Sequence, residues 1–135
     1  MNTFIGCSII IYDDLHRTLI GQRGMHKKDA PLLWETIGGS LEEGETSEEC
    51  IRREVLEEIG CRLKDLKLFK VYIVKESDNQ HILIVFTGKI EGEPQLNEEI
   101  EAVQWICREE IDAYPFYIES CRQKLMDFYK DNGWC

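Results

Sequence analysis

Basic residues are scarce in this 135-residue chain, with 16 Lys and Arg against 26 Asp and Glu and a formal net charge of −10. That imbalance argues against non-specific binding to nucleic-acid polymers or anionic membranes, whose phosphates such a chain repels. No hydrophobic run approaches membrane-spanning length. The apolar run from Phe4 to Tyr12 has no basic segment before it and meets Asp13-Asp14 at once, so it reads as a strand, not a secretion signal. CxxC and zinc-type spacings are missing from the six cysteines, Cys7, Cys50, Cys61, Cys107, Cys121 and Cys135. They are expected to be reduced, mostly buried small hydrophobes of a cytoplasmic protein, with Cys135 the exposed one. Internal repeats and low-complexity segments are absent as well. What is present, 43% hydrophobic and 31% charged residues, predicts a single globular domain over 1–135. A chain of this length buries about two-thirds of its unfolded surface around one core.

The most informative stretch runs from Gly38 to Cys61, GGSLEEGETSEECIRREVLEEIGC, and eight of its residues are Glu. Its first part, through Gly44-Glu45, holds too many glycines for a helix and reads as a tight glycine loop. Thr46 with Glu49 three residues on forms a capping-box signature, Ser47 to Ile59 contains neither Gly nor Pro, and Gly60 sits at the C′ position. A helix of three to four turns follows, burying Ile51, Val55 and Ile59 at four-residue spacing. Glu54, Glu57 and Glu58 then neighbour one another at i, i+3 and i+4 beside that stripe, where like charges destabilise the helix. Two of them fall in the last turn, the unfavourable end of the helix dipole for acids. A merely solvated acidic face would have the same composition. The adjoining glycine turn adds an irregular backbone, and together they make an all-oxygen site suited to a hard cation, Mg²⁺ above all, with Mn²⁺ as substitute.

The spacing Gly39, five residues, Glu45, seven residues, Arg53-Glu54-Val55, one residue, Glu57-Glu58, one residue, Gly60 resembles the Nudix box, here 39–61. Cys61 departs from the larger aliphatic residue usual at the last position, and Ile37 stands where proline is common. Neither departure touches a carboxylate. The resemblance implies an α/β fold, the α/β/α sandwich around a mixed β-sheet. It also implies a metal-dependent pyrophosphohydrolase of the MutT kind acting on a nucleoside diphosphate-linked small molecule. It assigns Glu54, Glu57 and Glu58 to the cation and its waters, and the Gly38 carbonyl as a further ligand. Arg53 orients the carboxylates, and Gly39, Glu45 and Gly60 are structural. A further acid usually comes from outside the box ahead of a tryptophan. Before Trp105 the best match is Glu99, then Glu98. The general base is Glu54 or Glu99, and the sequence does not choose.

The substrate is narrowed mainly by elimination. The proline and tyrosine that mark ADP-ribose and diadenosine polyphosphate hydrolases of the family are missing from Lys75 to Gln80. A nucleoside triphosphate, oxidised guanine triphosphates included, is therefore the expected substrate. ADP-ribose or another nucleotide sugar is the alternative. An isopentenyl-diphosphate isomerase would need an upstream cysteine, and none lies between Arg23 and Gly38. A non-catalytic nucleotide-binding module would have shed box glutamates, all retained here. Arg23 opens a locally basic loop with His26, Lys27 and Lys28, and is the first candidate to face substrate. Tyr114 and Phe116, with Tyr117, flank Pro115 and could stack on a base or pack in the core. Trp34 is expected to pack. The oligomeric state, monomer or homodimer, is left open.

The remaining elements follow from pattern. Strands are predicted at Phe4–Tyr12, Thr18–Gln22, Leu32–Ile37, Leu66–Lys75, His81–Ile90 and Ile100–Ile106. The fourth and fifth form a hairpin across Ser77-Asp78-Asn79. A short helical turn is expected at Glu109–Ala113. A second helix spans Tyr117–Lys130, with Ile118, Cys121, Leu125 and Phe128 on its buried face.

Overall fold

A computed structural model describes residues 1–134; the exposure expected for Cys135 lies outside the described residues. Seven strands and two helices run in the order β1 (Asn2–Ile11), β2 (Thr18–Arg23), β3 (Trp34–Glu35), β4 (Ile37–Ser40), α1 (Ser47–Ile59), β5 (Arg62–Glu76), β6 (Asn79–Glu91), β7 (Ile100–Ile106) and α2 (Glu119–Asn132). A 3₁₀ turn, Arg108–Ala113, precedes α2. The strands form a four-stranded mixed sheet, β4-β1-β6-β5, and a smaller antiparallel one, β3-β2-β7. β1 lies parallel to β6 and antiparallel to β4.

Alternation along the strands sorts the core into two layers. In β1, Cys7, Ile9 and Ile11 pack with Ile51, Val55 and Ile59 of α1, whereas Ile10 packs with Leu125, Phe128 and Tyr129 of α2. In β2, Leu19 and Ile20 divide in the same way. Helices therefore cover opposite faces of the strand layer, which is the expected α/β/α sandwich. The Tyr129 hydroxyl fastens α2 to the small sheet, donating to the Ile106 carbonyl at 2.6 Å and sharing a hydrogen bond with Thr18 Oγ1 at 3.1 Å.

Three expectations are corrected. The run Leu32–Ile37 is not one strand. Leu32 has a φ of 65°, β3 is only two residues long, and the chain changes sheets at Thr36, so that Ile37 pairs with β1. Gly38 and Gly39 are not loop residues either, but lie in β4 opposite Ser8 and Cys7. Glycine is needed there because the neighbours are close: a Cβ on Gly38 would stand 2.2 Å from the Cys7 carbonyl oxygen. Finally, Ile118 precedes α2 and is exposed. The buried face of that helix instead includes Lys124 and Tyr129 alongside Cys121, Leu125 and Phe128.

The hairpin is longer than its apolar runs suggested, with β5 and β6 joined by the two residues Ser77-Asp78. Its extra ladder residues are polar except for the buried Leu63, isolated between Arg62 and Lys64, so hydrophobicity does not mark them. Cys7, Cys50, Cys61 and Cys121 are buried and free, and Cys107 is half-buried and free.

Candidate active site

The carboxylates are positioned by a helix whose ends are both specified locally. Thr46 Oγ1 accepts from the Glu49 amide at 3.1 Å, and Glu49 Oε1 returns the bond from the Thr46 amide at 2.9 Å. Gly60, with a φ of 66°, ends the helix in the left-handed conformation that glycine tolerates best. The carbonyls left over at this end recruit the next loop. The Gln95 amide donates to the Ile59 carbonyl at 2.7 Å, and Asn97 Nδ2 donates to the Glu57 carbonyl at 2.6 Å. Asn97 Oδ1 in turn accepts from the Glu99 amide at 2.8 Å. Through these bonds the segment ahead of β7 closes over α1, and Glu99 is brought to the box glutamates.

Glu54, Glu57, Glu58 and Glu99 line one cavity of about 430 Å³, together with Gly38, Gly39, Arg23, Lys27 and Glu35. Arg53 braces it from outside. Its guanidinium holds both oxygens of Glu45, at 3.0 and 2.9 Å, Glu54 at 2.8 Å, Glu57 at 3.3 Å and the Ser40 carbonyl at 3.2 Å. A planar fork suits this work better than a lysine ammonium would. Those bonds hold the Glu45 carboxyl down to about 2. A Cβ on Gly39 would come within 2.4 Å of the Glu54 carboxylate, so glycine leaves room for that side chain.

Glu58 and Glu54 are under-compensated. Glu58 accepts from the Gly38 amide at 3.1 Å, but burial and then the charges of Glu54 and Glu35 push its carboxyl up to about 9. Burial also raises Glu54, against the lowering effect of Arg53. Crowded oxygens, short of positive charge, fit a hard divalent cation that tolerates a partly aqueous shell. Among the described residues no three His, Cys, Asp or Glu side chains form a ready-made metal cage.

Arg23 lies at the cavity wall, yet much of its donor capacity is committed. Nη1 pairs with Glu35 at 2.8 Å, Nη2 donates to the Asp29 carbonyl at 2.9 Å, and the guanidinium stacks on Tyr117 at 4.1 Å. Lys27, from the same loop, pairs with Glu99. Tyr114 and Phe116 do not join this wall. Tyr114 packs edge-on against Trp34 with ring centroids 5.0 Å apart, and both belong with Phe116 to the core layer under α2. Trp34 packs, as expected. Of the aromatic cluster, Tyr117 is the member beside Arg23, and it lines a second cavity of about 360 Å³ that shares Arg23, Glu35, Gly38 and Gly39 with the first.

Sequence reasoning passed over Glu35, which reaches the site through the sheet change at Thr36. It also missed Lys124, although the signal was available. Lys124 lies three residues after Cys121 and four before Phe128, and so falls on the buried face of α2.

Residues 3–127 match the NUDIX domain family. The chain belongs to the Nudix hydrolase family. Among curated relatives it is 34% identical over 86 residues to the oxidized purine nucleoside triphosphate hydrolase of Danio rerio, covering 62% of this chain and 53% of that protein. It is also 34% identical over 91 residues to the NAD-capped RNA hydrolase NudC of Chromobacterium violaceum, covering 64% and 31% respectively. The Nudix chain thus spans about half and about a third of these two relatives. In fold it resembles the MutT NUDIX hydrolase of Burkholderia pseudomallei, with a TM-score of 0.77 at 23% identity, covering 93% of this chain and 98% of that one. Among the described residues no helix is long and apolar enough to cross a membrane.

Proposed function

We propose that this Nudix chain hydrolyses a phosphoanhydride bond of a nucleoside triphosphate, in the manner of the oxidised-purine triphosphatases. The observation that carries the reading is the junction of two cavities: an acidic cleft suited to a diphosphate and its cation, opening across Arg23 and Gly38-Gly39 into an aromatic-edged cavity of base size. Glu54, Glu57, Glu58 and Glu99, with the backbone of Gly38, are the groups that would hold Mg²⁺ or Mn²⁺. A bound cation neutralises the phosphates, which the net charge of −10 would otherwise repel.

The chain's own groups then do the following. Arg53 keeps Glu54 and Glu57 in place through fixed hydrogen bonds. Glu54 or Glu99, both facing the cleft, takes a proton from the attacking water. The water oxygen bonds to phosphorus while the anhydride P–O bond breaks and its electron pair leaves with the departing phosphate. A screen of nucleoside triphosphates, ADP-ribose, dinucleoside polyphosphates, nucleotide sugars and isopentenyl diphosphate with Mg²⁺ tests the assignment. Nucleoside triphosphates are expected to give the highest kcat/KM. Faster turnover of ADP-ribose or a nucleotide sugar would move the substrate class. Binding without turnover of any compound would make the chain a nucleotide-binding module.

A further inference from the structure

The second cavity contains a group that hydrolysis does not use. Lys124 is only 4% exposed, and Nζ makes one side-chain hydrogen bond, to Ser8 Oγ at 2.9 Å. Among the described residues no carboxylate lies within ion-pair distance of it. An ammonium has three N–H donors, so the amine of this cavity-lining residue has donor capacity to spare. Burial disfavours its charged form, and a ligand oxygen accepting from the amine would favour that form again. An unpaired buried amine of this kind destabilises the fold unless something else satisfies it.

A second polar group on the same wall is also unpartnered. Thr36 Oγ1, in a residue 4% exposed, has no hydrogen-bond partner, and Thr36 lines the same cavity as Lys124 and Ser8. The rest of the wall suits a flat ring. Leu83 and Tyr117 line it, and Phe4 stacks on His81 with centroids 5.3 Å apart. A planar group entering from the carboxylate cleft would lie between apolar walls, with the Lys124 amine at its edge.

We propose that Lys124 is a specificity-determining residue that donates to the exocyclic carbonyl oxygen of an oxo-bearing nucleobase, an oxopurine above all. Ser8 holds the amine in place. The proposal rests on the nucleoside-triphosphate reading above and narrows it. Guanine presents two adjacent acceptors, N7 and O6, to a lysine, whereas adenine places an amino donor where O6 would be. A buried ammonium facing that amino group leaves donors on both sides unpaired, so adenine is discriminated against.

The test measures base preference in binding and in turnover. Metal-free protein is titrated with GMP and with AMP and followed by amide chemical shifts. GMP is expected to bind about tenfold or more tightly than AMP, as one hydrogen bond from a charged donor implies, and to shift Ser8, Thr36 and Lys124. In Lys124→Met that gap closes, and the kcat/KM ratio of GTP over ATP falls by a similar factor. Lys124→Gln, which restores a neutral donor, recovers part of both. Removing an unpaired buried amine leaves Lys124→Met folded at least as stably as the parent, and a thermal melt checks this. If Lys124→Met fails to fold, the parent titration and Lys124→Gln decide.

Equal affinity for GMP and AMP in the parent protein, or a preference that survives in the Met variant, overturns the proposal even where triphosphates are hydrolysed. Selective GMP binding that depends on Lys124, in a protein that hydrolyses no triphosphate, sustains the proposal and overturns the triphosphate reading.

Discussion

The two adjoining cavities are opposites in charge and in construction. The acidic cleft gathers five carboxylates, Glu35, Glu54, Glu57, Glu58 and Glu99, with Arg53 bracing Glu54 and Glu57 from outside. The other end holds a buried lysine with no carboxylate partner among the described residues. Half of the residues lining the first, three of its acids among them, come from one continuous segment, Gly38 to Glu58. The second is assembled from β1, the Thr36 crossing, β6 and α2, which are far apart in the chain. Chemistry common to a family of reactions can be carried in a contiguous segment, because helix spacing alone brings the acids together. Recognition of one head group draws on whichever distant elements meet at the cavity.

The largest effect that would break this contrast is removal of the cation. Chelation with EDTA is expected to abolish turnover while the circular-dichroism melt stays cooperative, since the core layers do not depend on the acidic cleft. Turnover that survived chelation would make the glutamate cluster structural.

Next comes removal of a single acid. Glu57→Gln or Glu58→Gln is expected to lower kcat about a hundredfold or more, from the loss of several kcal/mol of charge stabilisation. In metal-free protein the Glu58→Gln variant should melt at the same or a higher temperature. The sign follows from the carboxyl being pushed up to about 9 from an ordinary 4.5. The folded state holds the Glu58 proton more tightly than the unfolded chain does. Ionisation therefore erodes stability as pH rises through 4.5 towards 9, and Gln removes that loss. A variant melting much earlier than the parent at pH 7 would contradict this account.

Glu99 should matter less than the box acids but more than its neighbours. Glu99→Gln is expected to cut kcat by about tenfold or more and to alter the pH–rate profile if it takes the water's proton. Glu98→Gln and Glu101→Gln should leave both nearly unchanged. An unaltered profile in Glu99→Gln would leave Glu54 as the base.

The smallest effects separate two adjacent glycines. In Gly38→Ala the new methyl meets the Cys7 carbonyl at 2.2 Å, a backbone atom that cannot yield. A stability loss of about 1–3 kcal/mol is expected in denaturant melts. In Gly39→Ala the methyl meets the movable end of Glu54, so the fold should lose less and the rate more. Equal stability losses would show that Glu54 is as rigid as the backbone.

Much of α1 was legible because its signals are local. Thr46, Glu49 and Gly60 set its ends within a few residues, and four-residue spacing assigns Ile51, Val55 and Ile59 to the core. Glu99 was legible only by resemblance. Nothing in its own neighbourhood shows that Asn97 will bind the last turn of α1 or that Lys27 will pair with it. The apolar run Leu32–Ile37 misled because hydrophobicity marks burial without saying which sheet a residue joins, and the change at Thr36 serves both sheets. The same ambiguity attended Tyr114 and Phe116, whose aromatic character suits a base or a core equally until Trp34 is seen against them.

The sequence by itself determined the helix, its caps and the row of Glu54, Glu57 and Glu58, since these depend on spacings of three and four residues along one chain. Only the tertiary structure decided that Glu35 joins them, that Glu99 closes the cleft, and that Lys124 meets Ser8 from 116 positions away. Contacts at that separation are set by how sheets and helices pack, which no local spacing encodes.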